Sequence, residues 1–229
     1  MVDVKTGEIK AQASDEERGN SSVTLSIAQR VGGKLAGKLA GRAPGEGGQQ
    51  EAGPEVEESS GFTPIGPELL PNPSFDKGRA NWEFWVNTPA ASATFSVTIR
   101  ASEFDSAPAG GKVSCSKPGR TFADVQLWTG PSMVRKGVWY RLSFRAKASV
   151  GFQIQHIKFV SQQGRTDYSS AILNDAPIIT TVWETYIVYF RASADASDAR
   201  TNFDWGDTLP AGATFLIDSL SLKECIQSP

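Results

Sequence analysis

The sequence predicts an all-β domain, an antiparallel sandwich of two sheets, carried behind an extended or partly helical N-terminal arm. Three observations predict it. Every Trp, Tyr and Phe lies from Phe62 onward, so residues 62–229 can build a sizeable core and residues 1–61 cannot. Several segments of the second part alternate apolar and polar residues with a period of two. Turn-forming clusters recur between them, at Pro108–Gly111, Lys117–Gly119, Gly130–Pro131 and Pro210–Gly212, and no long amphipathic helix follows Phe62.

The arm comes first. Residues 1–22 are polar and charged, and the opening MVDVKTGEIK lacks the apolar run of a secretory leader. Over residues 23–42, Ile27, Val31, Leu35 and Leu39 recur every four residues, as do Arg30, Lys34, Lys38 and Arg42. On a helix these make adjacent apolar and basic stripes. Gly32, Gly33, Gly37 and Gly41 each cost such a helix roughly 1 kcal/mol against alanine, so it needs a partner surface. Docking to other protein subunits through residues 1–42 is the expectation, with disorder as the alternative. Residues 43–61, rich in Gly, Pro and Glu, read as linker. Gly32 to Lys38 spells the beginning of a phosphate-binding loop, but Leu39 stands where a Ser or Thr must reach magnesium and no buried strand precedes it. Nucleotide binding is therefore not expected.

The strands follow. Phe95, Val97 and Ile99 alternate with Thr94, Ser96 and Thr98; Tyr140, Leu142, Phe144 and Ala146 alternate with Arg141, Ser143, Arg145 and Lys147. Phe152 to Val160 alternates and carries His156, while Tyr186, Val188 and Phe190 belong to a strand apolar on both faces. The expected core is Phe75, Phe95, Val97, Val125, Leu127, Tyr140, Leu142, Phe144, Val188, Phe190 and Phe203.

Several function classes drop out. A net charge of −2 does not suit a protein built for phosphate backbones, so no nucleic acid partner is expected. No apolar run is long enough to span a bilayer. Cys115 and Cys225 are too few for a thiolate metal site; a disulfide or two buried thiols are both open. His156, the sole histidine, sits in a strand, and nothing pairs Asp124 with Asp204 as acid and base, so the chain is not expected to be an enzyme.

The residues also carry a resemblance. Leu69-Leu70-Pro71-Asn72-Pro73-Ser74-Phe75-Asp76-Lys77-Gly78, followed by Trp82, resembles the opening of the jelly-roll carbohydrate-binding modules appended to xylanases and β-glucanases. Asp124–Leu127, Gly137–Lys147, Thr181–Phe190 and Thr214–Lys223 resemble later strands of those modules, in the same order, across residues 69–224. The resemblance implies a two-sheet jelly roll that binds glycans without catalysis, with Trp82, Trp139 and Trp183 in its core. It also implies a structural Ca²⁺ between the opening segment and the last strand. Asp76 and Asp218 stand at the family's two acids, with the backbone carbonyls of Ser74 and Lys112 as companions. Ala109 falls where relatives often have a third acid, which weakens the site.

Alternation proposes a sugar face. If Ala123, Val125 and Leu127 face the core, Phe122, Asp124, Gln126 and Trp128 face outward, and Asn202 and Asp204 join them from a later strand. Aromatic rings offer an apolar platform to a pyranose, and amide and carboxylate oxygens take its hydroxyls. Tyr168, Gln153 and Gln155 are weaker candidates. The expected partner is a polysaccharide or cell-surface glycan. The expected context is a phage virion, where the module is a head or tail appendage; the alternatives are an accessory domain of a secreted glycoside hydrolase or a purely structural interaction module.

Overall fold

The computed structural model describes residues 61–228. The docking helix expected over 23–42, and the linker after it, lie outside the described residues.

The described chain is almost wholly strand. In order these are β1 (Phe62–Ile65), β2 (Trp82–Val86), β3 (Ser92–Thr98), β4 (Gly110–Lys117) and β5 (Val125–Val134). Then come β6 (Trp139–Ala148), β7 (Phe152–Gln153), β8 (His156–Ser161), β9 (Ser169–Leu173) and β10 (Ile178–Ile179). The last are β11 (Glu184–Ala192), β12 (Ala196–Asp204) and β13 (Thr214–Gln227). All pairings are antiparallel. The larger sheet runs β3-β4-β13-β6-β11-β9, with β1 also on β13; the smaller runs β2-β5-β12-β8; β7 and β10 form a separate ribbon. This is the jelly-roll sandwich that the alternation and the resemblance predict.

Period two translates directly into burial. Along β6, Tyr140, Leu142, Phe144 and Ala146 are buried while the residues between them are partly exposed. They meet Leu127 and Phe203 of the smaller sheet in one core, where Phe144 packs edge-on against Phe203 with ring centroids 5.4 Å apart. Of the expected core, Val97 is only half-buried, because β3 is an edge strand, and Ile99 lies beyond its end at 81% exposure. The expected single strand from Phe152 to Val160 is instead β7 and β8, broken at Ile154 and Gln155. The doubly apolar β11 has a cause on each face: Val188 and Phe190 enter the core, and Phe62 of β1 stacks on Tyr189 at 4.8 Å on the other side.

The opening motif works as a knot. Asn72 is buried; its Nδ2 donates to the carbonyls of Gly78 and Ala80 at 2.9 and 2.8 Å, and its Oδ1 accepts from the Lys77 N–H at 3.2 Å. Trp82 then donates its indole N–H to the Asn72 carbonyl at 2.9 Å, and its ring stacks on Phe75 at 4.6 Å. A turn too tight for regular pairing thus satisfies its backbone through one amide. Trp82 is the core tryptophan expected; Trp139 and Trp183 are only partly buried, Trp139 against Phe62 and Trp183 under the Lys147 ammonium. Cys115 and Cys225 are free buried thiols, and burial pushes the Cys225 thiol up to about 11.

Candidate functional site

The outward face of the smaller sheet collects most of the predicted sugar-binding residues. Strand register builds it in rows. Glu83 of β2 lies opposite Trp128 of β5, which lies opposite Asn202 of β12, which lies opposite Lys158 of β8. The next row is Trp85, Gln126, Asp204 and His156. Inward-facing Phe84, Leu127, Phe203 and Ile157 hold these strands on the core, so their sequence neighbours must face out.

The face divides into an accessible surface and a buried floor. Trp85 is 45% exposed and is its open aromatic platform. Gln126 is half-buried, with its Nε2 donating to the Ala123 carbonyl at 2.9 Å. Asn202 and Asp204 form the floor: both are buried, and Asn202 donates its amide N–H to Asp204. Lys158 closes over them, its ammonium 2.8 Å from Asp204 and 4.5 Å from the centre of the Phe122 ring. His156 meets the same ring edge-on at 4.5 Å. Burial raises the Asp204 carboxyl above its usual range, opposed by the Lys158 ammonium. Asn202 Oδ1 stays buried without a protein partner.

Two predicted residues are not on β5 as expected. Phe122 and Asp124 belong to a single 3₁₀ turn, Phe122–Asp124, that precedes it. In that turn Asp124 is buried and accepts from the backbone N–H groups of Arg120 and Thr121 at 2.7 and 3.0 Å and from Asn87 Nδ2 at 2.7 Å. These donors, the Arg120 N–H foremost, hold its carboxyl below the usual range. Asp124 is a turn-closing residue, and Phe122 reaches the face from the turn. Tyr168 sits beside β9's start and donates its hydroxyl to Asp198 at 2.8 Å, away from the two rows. Gln153 donates to the Ala176 carbonyl at 3.1 Å in the β7 ribbon, and Gln155 leaves its Oε1 buried without a partner.

The sequence reading missed Trp85, Glu83, Lys158 and Arg200, although parity was available for each. Trp82, Phe84 and Val86 alternate inward, leaving Glu83 and Trp85 out, and Arg200 shares the parity of Asn202 and Asp204.

The proposed calcium ligands are arranged for another purpose. Asp218 is fully buried, and its Oδ2 accepts from the backbone N–H groups of Asp105 and Ser106 at 2.9 and 2.7 Å, its Oδ1 from that of Ser219 at 2.6 Å. Burial, the largest influence, raises its carboxyl above the usual range. Asp76 is exposed; the Lys112 ammonium pairs with Glu103 at 2.6 Å, and the Lys112 backbone runs inside the sheet between β3 and β13. Among the described residues no three His, Cys, Asp or Glu side chains gather to hold a metal. The N–H groups that converge on Asp218 already engage both of its oxygens, and Asp76 stands exposed.

A depression of about 310 Å³ at the edge of β3, lined by Ser96, Thr98, Arg100, Glu103 and Lys112, belongs to the other sheet, and its Glu103–Lys112 pair is already closed. Among the described residues no helix is long and apolar enough to cross a membrane.

Neither a family model nor a curated protein sequence matches the chain. Solved structures do. A structure of the carbohydrate-binding module CBM4 is 19% identical, with 68% of this chain and 99% of that one covered at a TM-score of 0.50. The arabinose-bound MgGH51 α-L-arabinofuranosidase is 18% identical over 69% of this chain, at a TM-score of 0.52, but only 26% of the enzyme is covered. The enzymatically active domain of tailspike protein 4 from bacteriophage CBA120 is 16% identical over 69% of this chain, at a TM-score of 0.51, with 21% of that protein covered. The match thus takes in nearly all of the binding module but about a quarter or less of the two larger proteins. Residues 61–228 have the jelly-roll fold of carbohydrate-binding modules.

Proposed function

We propose that the chain is a non-catalytic glycan-binding module, and that the outward face of β2, β5, β12 and β8 is where the glycan lies. The observation that carries this is the cross-strand placement of an exposed indole, Trp85, beside the amide of Gln126 over a buried Asn202–Asp204 floor tied to Lys158. A flat apolar ring flanked by fixed polar groups matches a pyranose, whose C–H face is apolar and whose hydroxyls are directional. Catalysis has little support on this face: Asp204 is buried and ion-paired, and Asp124 is consumed by its turn. The test is binding of the purified chain to xylan, β-glucan and cell-surface polysaccharide, with Trp85→Ala and Gln126→Ala variants. Both variants should lose affinity while melting as the parent does, and no new reducing ends should form.

Attachment to a larger assembly through residues 1–42 is the second half of the proposal, supported by the paired apolar and basic stripes of residues 23–42. A phage head or tail appendage is the context we favour, since the same fold recurs within a bacteriophage tailspike protein; an accessory domain of a secreted hydrolase is the alternative, supported by the fold's recurrence in an arabinofuranosidase. Deleting residues 1–42 should abolish incorporation into the assembly and leave glycan binding intact. Incorporation that survives the deletion refutes the anchoring role.

A further inference from the structure

One cation on the proposed glycan face has no ion-pair partner among the described residues. Arg200 of β12 shares the outward parity of Asn202 and Asp204, and its guanidinium carbon lies 4.2 Å from the centre of the Trp128 ring. Its Nη1 donates to the Gln162 carbonyl at 3.1 Å. The loop after β8 reaches over it at Gly164, whose φ of +69° a side chain would strain and where a Cβ would stand 2.6 Å from Arg200 Nη2. The guanidinium therefore lies against the Trp128 indole with Gly164 close to its Nη2.

The acids around it have other partners or lie further off in register. Asp167, bridged to Arg200's own cross-strand partner Val160, accepts the Ser169 N–H at 2.8 Å. Asp204 pairs with Lys158 at 2.8 Å. Asp198 accepts the Tyr168 hydroxyl at 2.8 Å and the Gln162 N–H at 3.3 Å. Glu83 lies on β2, two strands away across β5. Among the described residues no carboxylate comes within ion-pairing distance of Arg200, and its Nε is buried without an acceptor. Partial burial lowers its proton affinity, and the more distant Asp204 carboxylate opposes this. A guanidinium held against an indole with no carboxylate partner is useful in a site, because a ligand carboxylate can take N–H bonds from its Nη1 and Nη2 edge.

We propose that this face takes an acidic polysaccharide, a uronate-bearing chain whose carboxylate pairs with Arg200 while a neighbouring ring lies on the Trp85 side. The inference rests on the reading of the face as a glycan platform and narrows its ligand. Trp128 then has a different part from the one alternation assigned to it: it backs the guanidinium.

The experiment is affinity electrophoresis of the full chain through polygalacturonate, dextran sulfate and neutral xylan, with Arg200→Gln and Arg200→Lys variants. Polygalacturonate should retard the parent most. Arg200→Gln should weaken that binding by roughly tenfold or more and leave xylan unchanged; Arg200→Lys should recover only part, since an ammonium lacks the fork. Should Arg200→Gln fail to fold, the parent alone still decides, because raising salt from about 0.05 to about 0.5 M should weaken the polyuronate complex and spare a xylan one. Xylan binding that equals polygalacturonate binding and ignores Arg200 overturns the inference and leaves the platform reading standing. Retardation by dextran sulfate without polygalacturonate overturns the assignment to carboxylates. No retardation by any polymer overturns both readings.

Discussion

Replacing Asp218 with Ala tests what this buried acid is for. Its carboxylate accepts three backbone N–H groups, from Asp105, Ser106 and Ser219, and anchors the loop between β3 and β4 to the last strand. The same loop is held by Arg145, which grips the Asp105 carboxylate through Nε and Nη2, both at 2.9 Å, and by Lys147, which donates to the Ser102 carbonyl at 3.2 Å. Alanine would orphan three donors at about 1–3 kcal/mol each, offset in part by removal of a poorly solvated charge, for a net loss of about 3–5 kcal/mol. For a domain of this size each kcal/mol moves the midpoint by roughly 2–4 °C, so Tm should fall by about 10 °C. The assay is a thermal melt followed by circular dichroism, with and without EDTA. The amide account expects a large loss in Asp218→Ala and the same melt in the parent with or without chelator. A parent whose Tm drops in EDTA and recovers with Ca²⁺, in a response that Asp218→Ala loses, would show that Asp218 holds a cation and refute the amide account.

Other outcomes follow from the same contacts. Asn72→Ala removes three side-chain hydrogen bonds from the opening turn and should cost about 2–3 kcal/mol, or roughly 5–10 °C in Tm. Asp124→Asn should lower Tm at neutral pH, and the deficit should shrink on acidification. The folded carboxyl lies below its unfolded value of about 3.9, so its stabilisation is present above that pH and is lost as pH falls through the folded value; a deficit unchanged between about pH 6 and pH 3 would contradict this. Gly206→Ala should weaken both fold and glycan binding, because a methyl there would press on the Thr121 carbonyl and on the Asp124 and Val125 nitrogens of the turn that presents Phe122. Melting and xylan or polygalacturonate binding of this variant would register the two effects separately.

Much of the fold was legible because one-sided burial leaves a period-two trace. In β6 the apolar set and the buried set are the same residues, and in β11 the second apolar row turned out to await Phe62. The errors lie where the chain is not extended. Alternation carried back from Gln126 through Asp124 assumed a strand, but the 3₁₀ turn before Val125 resets which way each side chain points. The acid that parity aimed at a sugar instead satisfies its own turn. The contacts of Asp218 were equally hidden: two of its three N–H donors come from an irregular loop more than a hundred residues earlier, which no periodicity reports.

Parity assigns a side chain to a face; it does not say which side chains meet there. Trp128 and Asn202 are neighbours only because β5 and β12 pair in one register, and shifting that register by a single residue would put Phe203 on the outward face. The register is held by inward residues, Leu127 against Phe203 and Phe203 against Ile157, whose mutual burial fixes the outward rows as a consequence. The chemistry of the face is thus set by the core beneath it. A sequence shows the core residues as a pattern and the outward ones as unrelated polar positions, so Arg200 and Trp128, 72 positions apart, read as separate until the sheet brings them to 4.2 Å. Once they are together, the guanidinium is the feature by which the proposed face would distinguish a charged glycan from a neutral one.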